Sequence, residues 1–401
     1  MRGALALALV LVVACGSNGI VDPDGGGGDA GVTPPGTCPP CGTNDDCAGG
    51  ACGQLGGDLF CAPSCGGADL CPTGRTCATV RDFAGRDVRL CVAQESACGL
   101  PPDAGAPSDA GGVPLGDGGG PVTAKLGPNG GTMSRLLFAS VGDTRPALPE
   151  DTKGYPTQTI TTIFQTMAKL DPMPPMAVSS GDYLFSLLGT TAAAQLKLYQ
   201  TAQQTFPGAF YPAMGNHECT FTTTSNCGPG TANGVTTQYT QYMQLMMGPL
   251  QKTQPYYAID VDAEDMSWTS KFVFIAANAW DSAQAAWLPT ALAKKTTYTF
   301  IIRHEASSVT APGVQPSNPI IAQYPYTLLI VGHTHTYDRL GQREVMFGNG
   351  GAPLSGGKGY GFGLFSQRKD GAIQVDAVDW KTGLADPQFR FAVKPDGSPA
   401  P

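Results

Sequence analysis

Histidine is scarce in this chain. There are four in 401 residues, His217, His304, His333 and His335, so any site built on imidazole has only these to draw on. Charge is sparse as well. Asp, Glu, Lys and Arg make up 14% of the sequence, against roughly a quarter in an ordinary soluble chain. The net charge is −8, and the Lys and Arg residues form no basic run or basic–aromatic stripe. That excludes an electrostatic nucleic-acid face, and it means an anionic substrate must be held by local charge such as a metal. No apolar run reaches the ~20 residues that a membrane-spanning helix needs. No internal repeat is present, which excludes solenoids and arrays.

The apolar run that does exist, Ala4 to Val13 behind Arg2, has the length and flank of an export signal. The next residues, Val12-Val13-Ala14-Cys15, resemble a bacterial lipobox. That resemblance implies cleavage after residue 14, a lipid on Cys15 and anchorage in the bacterial cell envelope. Gly16, where Asp would signal retention, implies the outer membrane. The lipid would be the only membrane contact. Without Cys15 the thirteen cysteines become twelve, ten of them within 38–98. In an oxidising compartment this reads as five bridges in a small module, plus one local bridge between Cys219 and Cys227. The module has no His, so Cys38-Pro-Pro-Cys41 reads as part of the disulfide set rather than a zinc site. Its few apolar residues make a marginal core that needs staples. The layout is a signal at 1–14, a flexible tether at 15–37, a cysteine-rich module at 38–98, a Gly/Pro/Ala/Asp linker at 99–130 and a globular domain at 131–401. The module serves as a spacer or engages a cell-surface partner.

From residue 131 onward, strand-like and helix-like segments alternate. Strands are predicted at 135–141, 176–178, 256–261, 271–276, 298–302 and 326–331, with shorter ones at 343–347, 361–365 and 373–378. Helices are predicted at 157–170, 192–203, 237–247 and 282–294. The 237–247 stretch, with Tyr239, Tyr242, Met243, Met246 and Met247, could line a groove but at helical spacing reads as core. Five polar groups follow strand-like segments: Asp143, Asp182, Asn216-His217, His304 and His333-Thr334-His335. In layered α/β folds such positions gather on one rim.

Gly142-Asp143, Gly181-Asp182, Gly215-Asn216-His217-Glu218, His304 and Gly332-His333-Thr334-His335 occur in the order found in the calcineurin-like metallophosphoesterases, and the chain resembles that family over about 134–366. The ending His333-Thr334-His335-Thr336-Tyr337-Asp338-Arg339 is most similar to the purple acid phosphatase branch. The resemblance implies an α/β (α+β) fold, a four-layer αββα sandwich, and one or two Zn, Mn or Fe ions. One metal would be held by Asp182, Asn216, His304 and His333, the other by Asp143, the bridging Asp182 and His335. It also implies hydrolysis of a phosphoester by metal-activated water, with His217 as general acid. The chemistry is sensible in itself, because carboxylates and imidazoles suit borderline metals. Phosphomonoesters are favoured and diesters remain open.

Two positions depart from the family pattern, and both concern the second metal. Arg145 stands where most members have a ligating His, and Arg has no lone pair to offer. Phe185 stands where the purple branch has a ligating Tyr, which implies no purple colour. Three readings follow: a weak second metal completed by water, a single-metal enzyme, or Arg145 acting catalytically by gripping substrate phosphate. A structural Arg145–carboxylate pair is a fourth. Glu305 and Asp338 are candidates for orienting the His ligands, and Trp280-Asp281 is left without an assigned role. The alternative function, from another class, is a surface lipoprotein with an inactive phosphoesterase-like domain that binds a partner.

Overall fold

The computed structural model describes residues 51–55, 58–62, 64–65, 71, 75–82, 86–93 and 121–401. The signal, the lipobox with Cys15 and the first tether lie outside the described residues. So do the linker up to residue 120 and most of the module's cysteine side chains. Among the described residues no helix is long and apolar enough to cross a membrane.

The cysteine-rich module contains β1 (Ala51–Leu55), β2 (Asp58–Ala62), β3 (Arg75–Asp82) and β4 (Asp87–Ala93) in one antiparallel sheet ordered β2-β1-β3-β4. Among the described residues, the bridges Cys65–Cys77 and Cys71–Cys91 staple it.

Two larger sheets follow. The first contains β5 (Ala124–Gly127), β6 (Gly130–Met133), β10 (Tyr257–Ala263), β11 (Thr269–Ile275), β12 (Tyr298–Arg303), β13 (Leu328–Val331), β14 (Tyr337–Arg339) and β15 (Glu344–Phe347), ordered β14-β15-β13-β12-β11-β10-β6-β5. The second contains β7 (Leu137–Val141), β8 (Met176–Ser179), β9 (Ala209–Pro212), β16 (Gly361–Gln367), β17 (Ile373–Asp379), β18 (Ala385–Val393) and β19 (Pro399–Ala400), ordered β19-β18-β17-β16-β7-β8-β9. Successive side chains of a strand point to opposite faces, and β11, β12, β13 and β15 are mostly apolar on both. Phe272, Phe274, Phe300, Ile302, Leu328, Ile330, Val345 and Phe347 face the second sheet and share its core. Val273, Ile275, Ile301, Leu329, Val331 and Met346 face the other way. There they cover α4 (Ser282–Ala293) and α5 (Val314–Ile321) through Leu288, Leu292 and Ile321.

Phe138 of β7 joins the sheets. Its ring stacks on Phe365 of the same sheet at 4.5 Å and meets Phe272 and Phe300 of the other sheet edge-on at 4.9 Å each. On the far side of the second sheet lie α1 (Thr157–Lys169) and α2 (Ala192–Gln203), where Phe164 packs against Tyr199 and Phe210. The result is the expected four-layer αββα sandwich.

Two expectations need correction, and a third needs refinement. Residues 124–130, read as linker, form β5 and the start of β6, and β6 pairs in parallel with β10. Helix α5 went unpredicted. The predicted helix 237–247 is α3 (Thr237–Tyr242) followed by a π-helical turn over Met243–Met247, and Tyr239, Tyr242, Met246 and Met247 are core, as their helical spacing suggested.

Candidate metal centre

In the second sheet β7, β8 and β9 run parallel, and in the first β11, β12 and β13 do. The carboxyl ends of β7, β8, β9, β12 and β13 carry the five polar groups, and the fold brings them together. Asp143, Asp182 and His333 each follow a strand and a glycine, and each has positive φ: 58°, 62° and 75°. Asp, Asn and His tolerate this left-handed region better than most residues. The preceding glycines are required by space. A Cβ at Gly332 would collide with Asp143 Oδ2, and one at Gly215 with Asp182 Oδ1.

Four donor atoms converge. His304 Nε2 lies 3.2 Å from Asp182 Oδ2 and 3.0 Å from Asn216 Oδ1. His333 Nδ1 lies 3.1 Å from Asn216 Oδ1 and 3.2 Å from His304 Nε2. Four ligands at ~2.0–2.1 Å from a tetrahedral ion stand about 3.3 Å apart, so this spacing fits one metal. Asp182, His304 and His333 could hold it, with Asn216 as the fourth donor. The orientation is fixed from behind. His304 Nδ1 donates to the Ser180 carbonyl at 3.0 Å, which turns the Nε2 lone pair inward. The Asn216 amide donates to the Phe221 carbonyl, which turns Oδ1 inward.

Glu218 builds the frame. Its carboxylate accepts the backbone N–H groups of Asp182, Tyr183 and Gly215 at 2.9, 2.8 and 2.8 Å. The β8 turn and the Asn216 turn are thereby tied into one unit. Burial and the neighbouring Asp182 push Glu218 up to about 7 against those three donors. Arg303, fully buried, does the same for His304. It donates to the Glu305 carbonyl, Ser307, Ser317 and Asn318, fastening the end of β12 to α5.

His217 stands beside the cluster without joining it. Its backbone N–H donates to Asp182 Oδ1 at 3.1 Å, and its Nε2 lies 3.8 Å from Asp182 Oδ2. The ring meets Phe185 edge-on at 4.6 Å. Burial pushes its pKa well below the ordinary value, with Asp182 pulling the other way. The Asp182 carboxyl would be raised by burial, but His304 first, then His217 and Arg145, hold it well below the carboxylate range. Burial pushes Asp143 up to about 8, against the pull of His304.

The second group of expected ligands is arranged differently. Asp143 accepts the His333 backbone N–H at 3.1 and 2.9 Å. His335 Nε2 is 3.8 Å from Asp143 Oδ1 and 3.3 Å from Arg145 Nη2. Phe185 lies under the Arg145 guanidinium, 4.8 Å from ring centroid to Cζ. Tyr183 points into the core and donates to the Ala213 carbonyl at 2.9 Å.

Glu305 and Asp338 do not orient the histidines. Glu305 is buried with neither carboxylate oxygen hydrogen-bonded, and Asp338 is exposed near Lys358. The Ser180 and Pro353 carbonyls orient His304 and His335 instead. Asp281 caps α4 by accepting the Gln284 N–H at 2.7 Å. The Cys219–Cys227 bridge is formed, and Asn278 holds its loop by donating to the Thr223 and Ser225 carbonyls.

The fold and site thus define an αββα sandwich with a candidate metal centre at its strand ends. No family model matches the chain, and no curated protein does. Among solved structures, a purple acid phosphatase from yellow lupin seeds is similar over 79% of this chain, at 13% identity and a TM-score of 0.48. The match spans 58% of the lupin chain's length.

Proposed function

We propose that this chain is a metal-dependent phosphoester hydrolase, carried on the bacterial cell envelope by a lipid on Cys15. The observation that carries the catalytic reading is the convergence of Asp182 Oδ2, Asn216 Oδ1, His304 Nε2 and His333 Nδ1 on one point, with His217 beside it. A Zn, Mn or Fe ion bound there supplies Lewis-acid polarisation of a phosphoryl oxygen and acidifies water. The residues do the rest. His217 Nε2 lies 3.8 Å from Asp182 Oδ2, beside the point of convergence, so His217 is the group placed to protonate the leaving oxygen. The ring's packing against Phe185 holds it in one orientation. Phosphomonoesters are the favoured substrates.

The test is turnover of nitrophenyl and alkyl phosphate mono- and diesters with Mn, Zn or Fe. Asp182→Asn should abolish activity. His217→Ala should lower kcat/KM for alkyl phosphates by about 10²–10⁴-fold, the usual worth of a general acid. The loss should be far smaller for nitrophenyl esters, whose leaving group needs no proton. Absence of turnover with every metal would sink the proposal. It would favour a second reading, a binding lipoprotein, to which the Arg145–His335 contact lends support.

A further inference from the structure

The place a second metal would take is already furnished with a cation. His335 Nδ1 lies 2.7 Å from the Pro353 carbonyl, which can only accept, so the proton sits on Nδ1 and Nε2 carries the lone pair. That lone pair faces Arg145 Nη2 at 3.3 Å. Arg145 is always a donor, so the nitrogen that would bind a metal already accepts a hydrogen bond. The guanidinium is held from three sides. Nη1 donates to the Pro146 carbonyl at 3.1 Å, the plane lies over Phe185, and Nη2 is on His335. Asp143 and Asp182, the carboxylates a second metal would use, are the chief anions attracting it. Neither Arg145 nor Phe185 has a lone pair suited to a metal, so the residues present do not fit a second ion.

We infer that the Arg145 guanidinium replaces the second metal, leaving a centre of one ion and one fixed guanidinium that grips substrate phosphate. The Nε–H has no acceptor within the protein, and Arg145 as a whole is only partly buried, so the side chain is open to an anionic ligand. Arg presents its donors in a rigid fork suited to phosphate, whereas Lys offers a point charge. This inference rests on the phosphoesterase reading.

The experiment counts metal on the full chain. Wild type and Arg145→His are loaded with Mn(II), desalted, and measured for ions per chain by mass spectrometry and for spin coupling by electron paramagnetic resonance. Wild type should hold one ion with an uncoupled spectrum. Arg145→His should hold two, with exchange coupling. Two tightly held ions in wild type would overturn the inference yet leave the phosphoesterase reading standing, provided turnover is seen. No ion in wild type would overturn both. One ion in a folded Arg145→His would also overturn it, because Arg145 would then not be what excludes the second. If that variant fails to fold, the wild-type count decides, together with Arg145→Lys. Arg145→Lys should weaken competitive inhibition by inorganic phosphate about tenfold, and an unchanged inhibition constant would count against the phosphate grip.

Discussion

Glu218 shows how one side chain can set a whole site. Three backbone N–H groups from two separate turns point at its carboxylate. Leaving a buried donor unsatisfied costs about 1–3 kcal/mol. Glu218→Ala should therefore cost roughly 3–5 kcal/mol of stability, measured by urea unfolding, and should weaken metal binding as the Asp182 and Asn216 turns come apart. A loss under ~1 kcal/mol would show that the carboxylate is not the tie. The candidate donors at this scale were readable because the chemistry is scarce: four histidines and, within 131–401, two Gly-Asp pairs leave few alternatives. Glu218 was in view as the last letter of a motif, but its role was not, since its partners are backbone atoms with no residue signature. The same holds for the Ser180 and Pro353 carbonyls that set the His304 and His335 tautomers. The Arg145–His335 contact was out of reach for another reason: a departure from a pattern does not say where the replacing side chain points.

Among the elements, the loop over 186–191 is organised by Glu150. Its carboxylate accepts from Ser186 Oγ at 2.7 Å, Leu188 N at 2.8 Å and Thr190 Oγ1 at 3.0 Å, and from both the N–H and the hydroxyl of Thr191. Partial burial would raise its pKa, but the donors, Thr191 first, hold it down at about 2. Because the folded value lies below the unfolded one of ~4.3, the stabilisation is complete above that range and is lost as pH falls toward 2. Glu150→Gln should thus be less stable than wild type at pH 6, and the gap in urea midpoint should narrow by pH 3. A gap that is constant with pH would refute this.

Most strands were legible, since runs such as Phe272 to Ile275 and Tyr298 to Ile302 are β-branched or aromatic throughout. Helix α5 was not, because Pro316 and Pro319 interrupt it. The β5–β6 hairpin was not either: Gly127-Pro128-Asn129-Gly130-Gly131 has the composition of a linker, and only the partner strand β10 makes it part of a sheet.

At the scale of the whole molecule, the two sheets meet through an aromatic contact centred on Phe138, which touches Phe272, Phe300 and Phe365. Removing a buried Phe ring costs about 3–5 kcal/mol when the cavity cannot collapse. Phe138→Ala should lose that much in a single cooperative urea transition of the 121–401 region. Two separated transitions would mean that the sheets unfold independently. The sandwich class was legible from strand and helix alternation, but its assembly was not, because the central strands are apolar on both faces. Polarity therefore cannot tell their two sides apart; volume can. In β11 the inward positions are Phe272 and Phe274 and the outward ones Val273 and Ile275. A one-residue deletion there would leave the hydrophobicity profile almost unchanged. It would also turn rings toward the α4–α5 layer and aliphatic stubs toward Phe138, so the register of this sheet is written in side-chain size.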